Sequence, residues 1–240
     1  MSIYTVQLKE RKEIADGTMA FSFNKPAGFE FVAGQSIDLT LLNPSETDTK
    51  GPMRTLSLAS APSESELLVA TRMRDTAFKR ELKKLPLEAS FQMEGPFGFM
   101  TLPKKTARPA VFLAGGIGIT PFRSMLCQAA ATQASHSLFL FYSNRRPEDA
   151  AFLAELAELS AQNPNFTLVA TMTHPENSRI HWKGETGFIN KELLEKFVGD
   201  LKQPVYYIAG PSSMESAMRD LLLDLGVEEG DINSEGFAGY

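Results

Sequence analysis

The spacing of apolar residues changes character near the middle of the chain. Up to about Pro103, short runs alternate apolar and polar residues and are separated by turn residues, as in half-buried antiparallel strands. TVQLKERKEI and TMAFSFNKP flank Asp16-Gly17, a pair typical of a tight hairpin turn. GQSIDLTLL, RTLSLAS, ELLVATRM and SFQMEG continue the series, and DTAFKRELKKL has the apolar spacing of a helix. Many short strands at close spacing predict a small antiparallel β-barrel.

From Pro109 onward, apolar runs alternate with amphipathic segments. PAVFLAGG, SLFLFYSN, NFTLVATMT, QPVYYIAGP and INSEGFAGY predict strands, and TPFRSMLCQAAATQ, PEDAAFLAELAELSAQ and SSMESAMRDLLLDLGV predict helices, the last ending at Gly226. Such alternation is typical of an α/β parallel sheet with helical crossovers. LPKKTARP lies between the halves and has the polar, proline-bounded character of a linker. We therefore predict two domains, an antiparallel β-barrel in residues 1–103 and an α/β domain in residues 109–240.

The first strand of the α/β domain runs into a glycine-rich turn. VFLAGGIGITP contains Gly115, Gly116 and Gly118, and glycine lets backbone N–H groups approach a phosphate closely. Thr120 is expected to cap the following helix and Pro121 to occupy its first turn. Such a turn is also a common tight connection, but its place between a first parallel strand and a helix favours nucleotide binding.

Two further strand ends are candidates for nucleotide contacts. The second strand ends in Ser143, Asn144, Arg145 and Arg146, where an arginine would accommodate a 2′-phosphate and so favour NADPH. The alternative is that both arginines are solvated surface charges. The fourth strand leads through Gly210-Pro211 into a helix, and this connection predicts either a ligand loop or a structural turn.

Composition narrows the classes of function. The chain has 240 residues, 43% of them apolar, and a net charge of −5, so no basic surface indicates nucleic acid. It shows neither an apolar signal core nor a membrane-spanning stretch, and we expect a cytoplasmic protein without membrane insertion. The single cysteine, Cys127, cannot form an internal disulfide or hold an iron–sulfur cluster by itself. Metal-ligand spacing is absent from the sequence.

The order of these motifs resembles that of the ferredoxin–NADP⁺ reductases, over essentially the whole chain. The matching segments are Arg54-Thr55-Leu56-Ser57, Gly95-Pro96-Phe97-Gly98, the glycine-rich turn up to Pro121, the IAGPSSM segment up to Met214, and Glu235-Gly236-Phe237. The resemblance implies an FAD-binding barrel, an NAD(P)-binding domain and no iron–sulfur domain. It also implies hydride transfer between NADPH or NADH and FAD, with electrons passing to a separate ferredoxin, flavodoxin, oxygenase component or free flavin.

The resemblance also implies roles for individual residues. Arg54 would pair with the flavin pyrophosphate, and Ser57 would hydrogen-bond near flavin N5. The backbone around Thr76 would contribute N–H groups to the same pyrophosphate. Residues 115–120 would hold the pyrophosphate of the nicotinamide nucleotide, and Glu235 would lie near the nicotinamide unless it is a surface glutamate.

Three further positions bear on the contacts that the family makes with the flavin and nicotinamide rings. Leu56 stands where the family usually has an aromatic residue that stacks on the flavin, and Ala209 where it often has a cysteine beside the nicotinamide. Tyr240 is expected to stack on the flavin, as the terminal tyrosine of plant-type members does, unless it belongs to a free tail. Because of Leu56 and Ala209, a second hypothesis stays open: a flavin- or nucleotide-binding regulatory or electron-transfer subunit without turnover.

Overall fold

The computed structural model describes residues 2–102 and 108–236, with residues 235 and 236 described by their main chain alone. Its first half contains six strands and a helix between the last two. They are β1 (Ile3–Ala15), β2 (Thr18–Asn24), β3 (Ser36–Leu41), β4 (Met53–Ser57), β5 (Glu66–Arg72), α1 (Ala77–Lys84) and β6 (Ser90–Phe97). Neighbouring strands are antiparallel in the order β4-β3-β6-β1-β2-β5.

Closure of this sheet confirms the predicted barrel. An antiparallel bridge between Leu58 and Val69 connects the end of β4 to β5, so the two edge strands meet. The apolar positions of the strands face a common core, which α1 covers with Phe78 and Leu82. The predicted hairpin is also present, but only Gly17 of its two turn residues has a positive φ, of 63°.

The second half is an α/β layer structure. Its strands are β7 (Ala110–Gly115), β8 (Leu138–Asn144), β9 (Phe166–Met172), β10 (Glu185–Thr186), β11 (Val205–Gly210) and β12 (Ile232–Gly236). Its helices are α2 (Ile119–Ala131), α3 (Leu153–Gln162), α4 (Lys191–Val198) and α5 (Ser212–Asp224). Among the described residues, no helix combines the length and the apolar composition that a bilayer crossing requires.

The topology of the parallel sheet sets the place for a ligand. The strand order is β10-β9-β8-β7-β11-β12, and all residues of the adjacent strands β7 and β11 are buried. From β7 the chain builds outward in one direction to β8, β9 and β10, and then returns to add β11 and β12 on the other side. In such sheets ligands bind beyond the carboxyl ends of the strands where the direction reverses, here those of β7 and β11.

Three elements differ from the sequence prediction. The predicted helix from Pro147 begins only at Leu153, after a 3₁₀ turn at Pro147–Asp149 and a left-handed Phe152 with φ of 61°. The strand β10 and the helix α4 were not predicted, although Asn190 caps α4 by accepting a hydrogen bond from the Leu193 N–H. Gly226 does end α5 as predicted, in the left-handed conformation with φ of 78°.

Ionic contacts join the two sheets at the hairpin turn. The Asp16 carboxylate accepts a hydrogen bond from Arg179 at 2.7 Å, and its backbone N–H donates to the Glu148 carbonyl. The Glu148 side chain accepts from the Arg179 N–H and the Ser178 hydroxyl, and these bonds lower its pKa to about 2.

A buried arginine joins the sheets on the opposite side. Arg123 of α2 is 6% exposed and donates to the Ala59 carbonyl at 2.7 Å, just beyond β4. It also pairs with Glu64 of the barrel and with Glu155 of α3. The neighbouring Ser124 hydroxyl donates to the Ser60 carbonyl at 2.6 Å. This cluster therefore fixes α2 against the barrel.

We expect Arg123→Ala to lower the free energy of unfolding by about 2–3 kcal/mol, because the buried Ala59 carbonyl loses a charged donor. Glu64 and Glu155 are 39% and 42% exposed, so water replaces Arg123 there. Lys191→Ala removes an exposed pair with Glu195 and should cost less than about 0.5 kcal/mol. Guanidinium denaturation measures both. Equal stability of the two variants would contradict the structural role of Arg123.

Candidate functional site

Two clefts lie next to each other where the barrel meets the parallel sheet. The larger, which we call the sheet cleft, has a volume of about 870 Å³ and lies at the carboxyl ends of β7, β8 and β11. The smaller, which we call the barrel cleft, has a volume of about 470 Å³ and lies beside β4 and the start of α1. Arg72 and Arg74, at and after the end of β5, line both clefts.

The glycine-rich turn after β7 separates the clefts. Gly115 and Gly116 line the sheet cleft, and Ile117 lines the barrel cleft. A Cβ atom at Gly118 would lie 2.2 Å from the Ala209 carbonyl oxygen, and one at Gly115 would lie 2.4 Å from the Met214 sulfur. Glycine is therefore required because the turn packs directly on the end of β11.

The prediction that Thr120 caps the helix is wrong. A 3₁₀ turn at Gly116–Gly118 precedes α2, whose cap position is Gly118, and the Thr120 hydroxyl donates to the Ile117 carbonyl at 3.1 Å. Thr120 and Pro121 are both buried and line neither cleft. The helix α2 therefore begins at Ile119, earlier than expected, directly after the 3₁₀ turn.

The two arginines that follow β8, Arg145 and Arg146, have different surroundings. Ser143 and Arg145 line the sheet cleft. Arg146 instead pairs with Asp149 through two hydrogen bonds of 2.9 and 2.7 Å and lies 3.5 Å from Asp16. Arg146 lines neither cleft, so the geometry does not support the predicted contact between Arg146 and a nucleotide.

The connection from β11 to α5 forms the opposite wall of the sheet cleft. Pro211 and Met214 line it, and Gly210 packs against Gly115, with a Cβ at Gly210 3.2 Å from the Gly115 backbone. The structure thus brings the two predicted nucleotide segments together. Phe188, which is 76% exposed, also lines this cleft and was not predicted.

Three of the four residues of the predicted flavin motif line the barrel cleft, whereas the fourth, Ser57, lines neither cleft. Arg54, Thr55, Leu56 and Thr76 all line the barrel cleft. The Thr76 hydroxyl caps α1 by accepting from the Lys79 N–H, so the predicted helix start is correct.

Ser57 lies at the end of this motif and is 4% exposed. Within the described part of the chain its Oγ has no hydrogen-bond partner, and an unpaired buried hydroxyl is costly unless a ligand or water pairs with it. Ser57 pairs with Ser36 of β3, and Ser36 pairs on its other side with Phe97, between Gly95 and Gly98. Neither Gly95 in β6 nor Gly98 just after it lines either cleft, and β3 lies between β6 and Ser57.

The barrel cleft is lined by more cationic residues than the sequence motifs predict. Lys50, Arg54, Arg72, Arg74 and Lys79 line it, and Asp48 is its one lining carboxylate among the described residues. Burial and the charges of Arg74, Arg54 and Lys50 lower the pKa of Lys79 to about 8, while its ammonium donates to the Arg72 carbonyl at 2.7 Å. A cleft with this lining fits a polyanion.

The remaining predicted positions, the Glu235 side chain and Tyr240, lie outside the described residues. For Glu235 the structure describes the main chain, which lies in β12 and pairs with Ala209 of β11. Ala209 itself is fully buried.

Comparison with known proteins identifies the fold. Residues 112–220 match the oxidoreductase NAD-binding domain family. The flavohem-like FAD/NAD-binding domain of nitric oxide dioxygenase from Vibrio cholerae superposes with a TM-score of 0.83 over 98% of both chains, at 20% identity. A ferredoxin–NADP⁺ reductase from Neisseria gonorrhoeae with bound FAD and NADP superposes with a TM-score of 0.82 over 98% of this chain and 99% of that chain, at 23% identity. This chain has the ferredoxin reductase-like fold.

This fold confirms the predicted architecture, an antiparallel β-barrel followed by an α/β domain. FAD and a nicotinamide nucleotide are cofactors that fit this fold and the matched NAD-binding domain. In sequence, the chain is 27% identical over 223 residues to the reductase component of glycine betaine monooxygenase from Chromohalobacter salexigens, a match that covers 92% of this chain and 60% of that protein. It is 34% identical over 149 residues to a component of the Na⁺-translocating NADH-quinone reductase of Pseudomonas aeruginosa, a match that covers 60% of this chain. The chain spans only 36% of that second relative.

Because of the contact with Ala209, we expect Gly118→Ala to lower the free energy of unfolding by about 2 kcal/mol and to weaken nucleotide binding. Gly230→Ala is the matched control, since a Cβ there meets nothing within 4 Å. Thermal unfolding and nucleotide titration of both variants measure the effects. Wild-type behaviour of Gly118→Ala would show that the close approach is not required.

We expect the affinity for inorganic pyrophosphate to fall about tenfold between about pH 7 and about pH 9 relative to a protein that lacks this lysine, because Lys79 loses its charge over this interval while the ionisation of the ligand affects both proteins equally. The sign follows from a lysine that is charged below its pKa of about 8 and neutral above it. Lys79→Met should flatten this dependence, whereas Lys83→Met on the exposed side of α1 should leave it unchanged. Calorimetric titration measures the affinity at each pH. An equal change of affinity with pH in Lys79→Met would contradict the assignment of this effect to Lys79.

Proposed function

We propose that this chain is an NAD(P)H-dependent flavin oxidoreductase that passes electrons to a separate acceptor. The observation that carries the proposal is the adjacency of the two clefts, which share Arg72 and Arg74 and are separated by the turn from Gly115 to Ile117. Two cofactors bound one in each cleft would meet at this turn. Such an arrangement suits transfer between two bound molecules, which requires their reacting atoms to be held in contact.

The barrel cleft would hold FAD. Arg54 and Lys79 are suited to its pyrophosphate, together with backbone N–H groups at the start of α1. Leu56 would contribute an apolar contact with the flavin ring, and the unpaired Oγ of Ser57 would hydrogen-bond to the ring edge. When bound, a flavin supplies the ability to accept a hydride and to release electrons singly or in pairs.

The sheet cleft would hold the nicotinamide nucleotide. Gly115 and Gly116 allow close approach to its pyrophosphate, and Pro211 and Met214 would contact it from the opposite wall. Arg145 is the arginine at the end of β8 that would accommodate a 2′-phosphate, and Phe188 offers an apolar ring at the rim. NADPH and NADH are both compatible with this lining.

The role of the protein is to bind, orient and exclude water. Leu56 is half-buried and lines the barrel cleft, so an apolar group lies beside the place where the cofactors would meet, whereas Ala209 is fully buried and lines neither cleft. Neither position offers the aromatic ring or the thiol of many family members. The acceptor would be a separate protein such as an oxygenase component, ferredoxin or flavodoxin, because one cysteine in this sequence cannot hold an iron–sulfur cluster. The name of the monooxygenase reductase relative favours an oxygenase component.

The proposal is tested by reconstituting the purified protein with FAD and adding NADH or NADPH without oxygen. Loss of the oxidised flavin absorption supports the proposal, and the rates rank the two nucleotides. Protein that binds FAD but is reduced by neither nucleotide would instead favour the non-catalytic alternative. Protein that binds no FAD under any condition would refute the proposal and would leave, of the alternative, only a nucleotide-binding subunit.

We expect Ser57→Ala to slow this reduction about tenfold while changing FAD affinity much less, because it removes one hydrogen bond to the reacting edge of the flavin. Ser160→Ala, on α3 and remote from both clefts, is the control and should leave the rate unchanged. Stopped-flow absorption measures the rates. A wild-type rate in Ser57→Ala would remove Ser57 from the site.

A further inference from the structure

Asp48 lies on the segment between β3 and β4 and lines the barrel cleft. One terminal nitrogen of Arg54 donates to both of its carboxylate oxygens at 2.8 Å, and the Lys50 N–H donates to Oδ1 at 2.9 Å. The Phe78 N–H, in the first turn of α1, makes a smaller contribution to the lowered pKa of this carboxylate. The Arg54 guanidinium and these bonds hold the pKa of Asp48 below its usual range, so the group is an anion at neutral pH.

These donors are of the kind that bind a phosphate. A guanidinium and backbone N–H groups at the start of a helix form a general anion site. Other N–H groups at this end of α1 are already engaged, since Thr76 N–H donates to the Arg74 carbonyl and Lys79 N–H to the Thr76 hydroxyl. The Asp48 carboxylate therefore sits among the same donors that a pyrophosphate in this cleft would use.

Hydrogen bonds and an ion pair hold the segment that carries Asp48 against α1. Glu46 accepts from Arg80 at 2.8 Å, and the Ser45 N–H and hydroxyl donate to Glu81 at 2.9 and 2.8 Å. These contacts do not involve Arg54. They keep Asp48 close to Arg54 and so give its carboxylate a high local concentration there.

We propose that Asp48 is an intramolecular competitor for the pyrophosphate position of the barrel cleft, and that it sets a limit on the affinity for FAD. The proposal rests on the proposed function, since it takes the pyrophosphate of FAD as the ligand of this cleft. Tight binding requires the Asp48 carboxylate to give up Arg54, or to share it with the pyrophosphate at the cost of charge repulsion. The consequence is a flavin that exchanges with solution more readily than the cationic lining suggests.

The experiment compares wild type with Asp48→Asn, which keeps the size of the side chain and an oxygen acceptor but removes the charge. We expect the Kd for FAD to fall about tenfold, because one like charge beside the pyrophosphate is lost. The affinity for riboflavin, which carries no phosphate, should not change. Fluorescence titration measures both ligands, and Asp48→Ser is the second variant should Asp48→Asn fail to fold.

Controls separate this inference from the proposed function. Glu88→Gln, which removes an exposed carboxylate of the barrel that lines neither cleft, should leave FAD binding unchanged. FAD affinity that is unchanged or weaker in Asp48→Asn, or riboflavin affinity that rises equally, overturns the competition while the proposed function stands. If no form binds FAD, the proposed function fails. Calorimetry with inorganic pyrophosphate then tests whether Asp48 competes for the anion position of the barrel cleft. Tighter pyrophosphate binding by Asp48→Asn supports the competition, and equal, weaker or undetectable binding overturns it.

Discussion

The close approach of two backbone segments at the centre of the parallel sheet is the constraint on which the rest of the structure depends. Gly118 lies so near the Ala209 carbonyl that no side chain fits between them. This contact places the turn after β7 at the boundary of the two clefts and brings Pro211 and Met214 opposite Gly115. The sheet switch point, the glycine turn and the adjacency of the clefts are consequences of the same packing.

The charges of the two clefts differ, and so do their proposed ligands. The barrel cleft collects cations from β4, β5 and α1, whereas at the end of β8 Arg146 is neutralised by Asp149 and Asp16. Only Arg145 remains there as a cationic lining residue from that strand. Net charge would not reveal this division, because the whole chain is acidic at −5.

Local patterns were sufficient for the fold and for the backbone of the site. Alternating apolar residues predicted the barrel, and the apolar run into Gly115 predicted the central strand and its turn. Some failures depend on contacts between distant segments and others on local geometry. Gly118 packs on Ala209 of β11, and α2 begins at Ile119, ahead of the expected cap at Thr120. Arg146 is held by the nearby Asp149 as well as by Asp16 of the other half of the chain. The lowered pKa of Lys79 and the contacts of Asp48 likewise exist only once β4 and α1 meet.

The central claim is that two cofactors meet at the turn from Gly115 to Ile117. A crystal structure of the protein with both FAD and a nicotinamide nucleotide tests it most directly. The account predicts the flavin pyrophosphate at Arg54 and Lys79, the nucleotide pyrophosphate at Gly115 and Gly116, and the two rings in contact beside Leu56 and Ser57. A nucleotide bound outside the sheet cleft, or a flavin outside the barrel cleft, would contradict it.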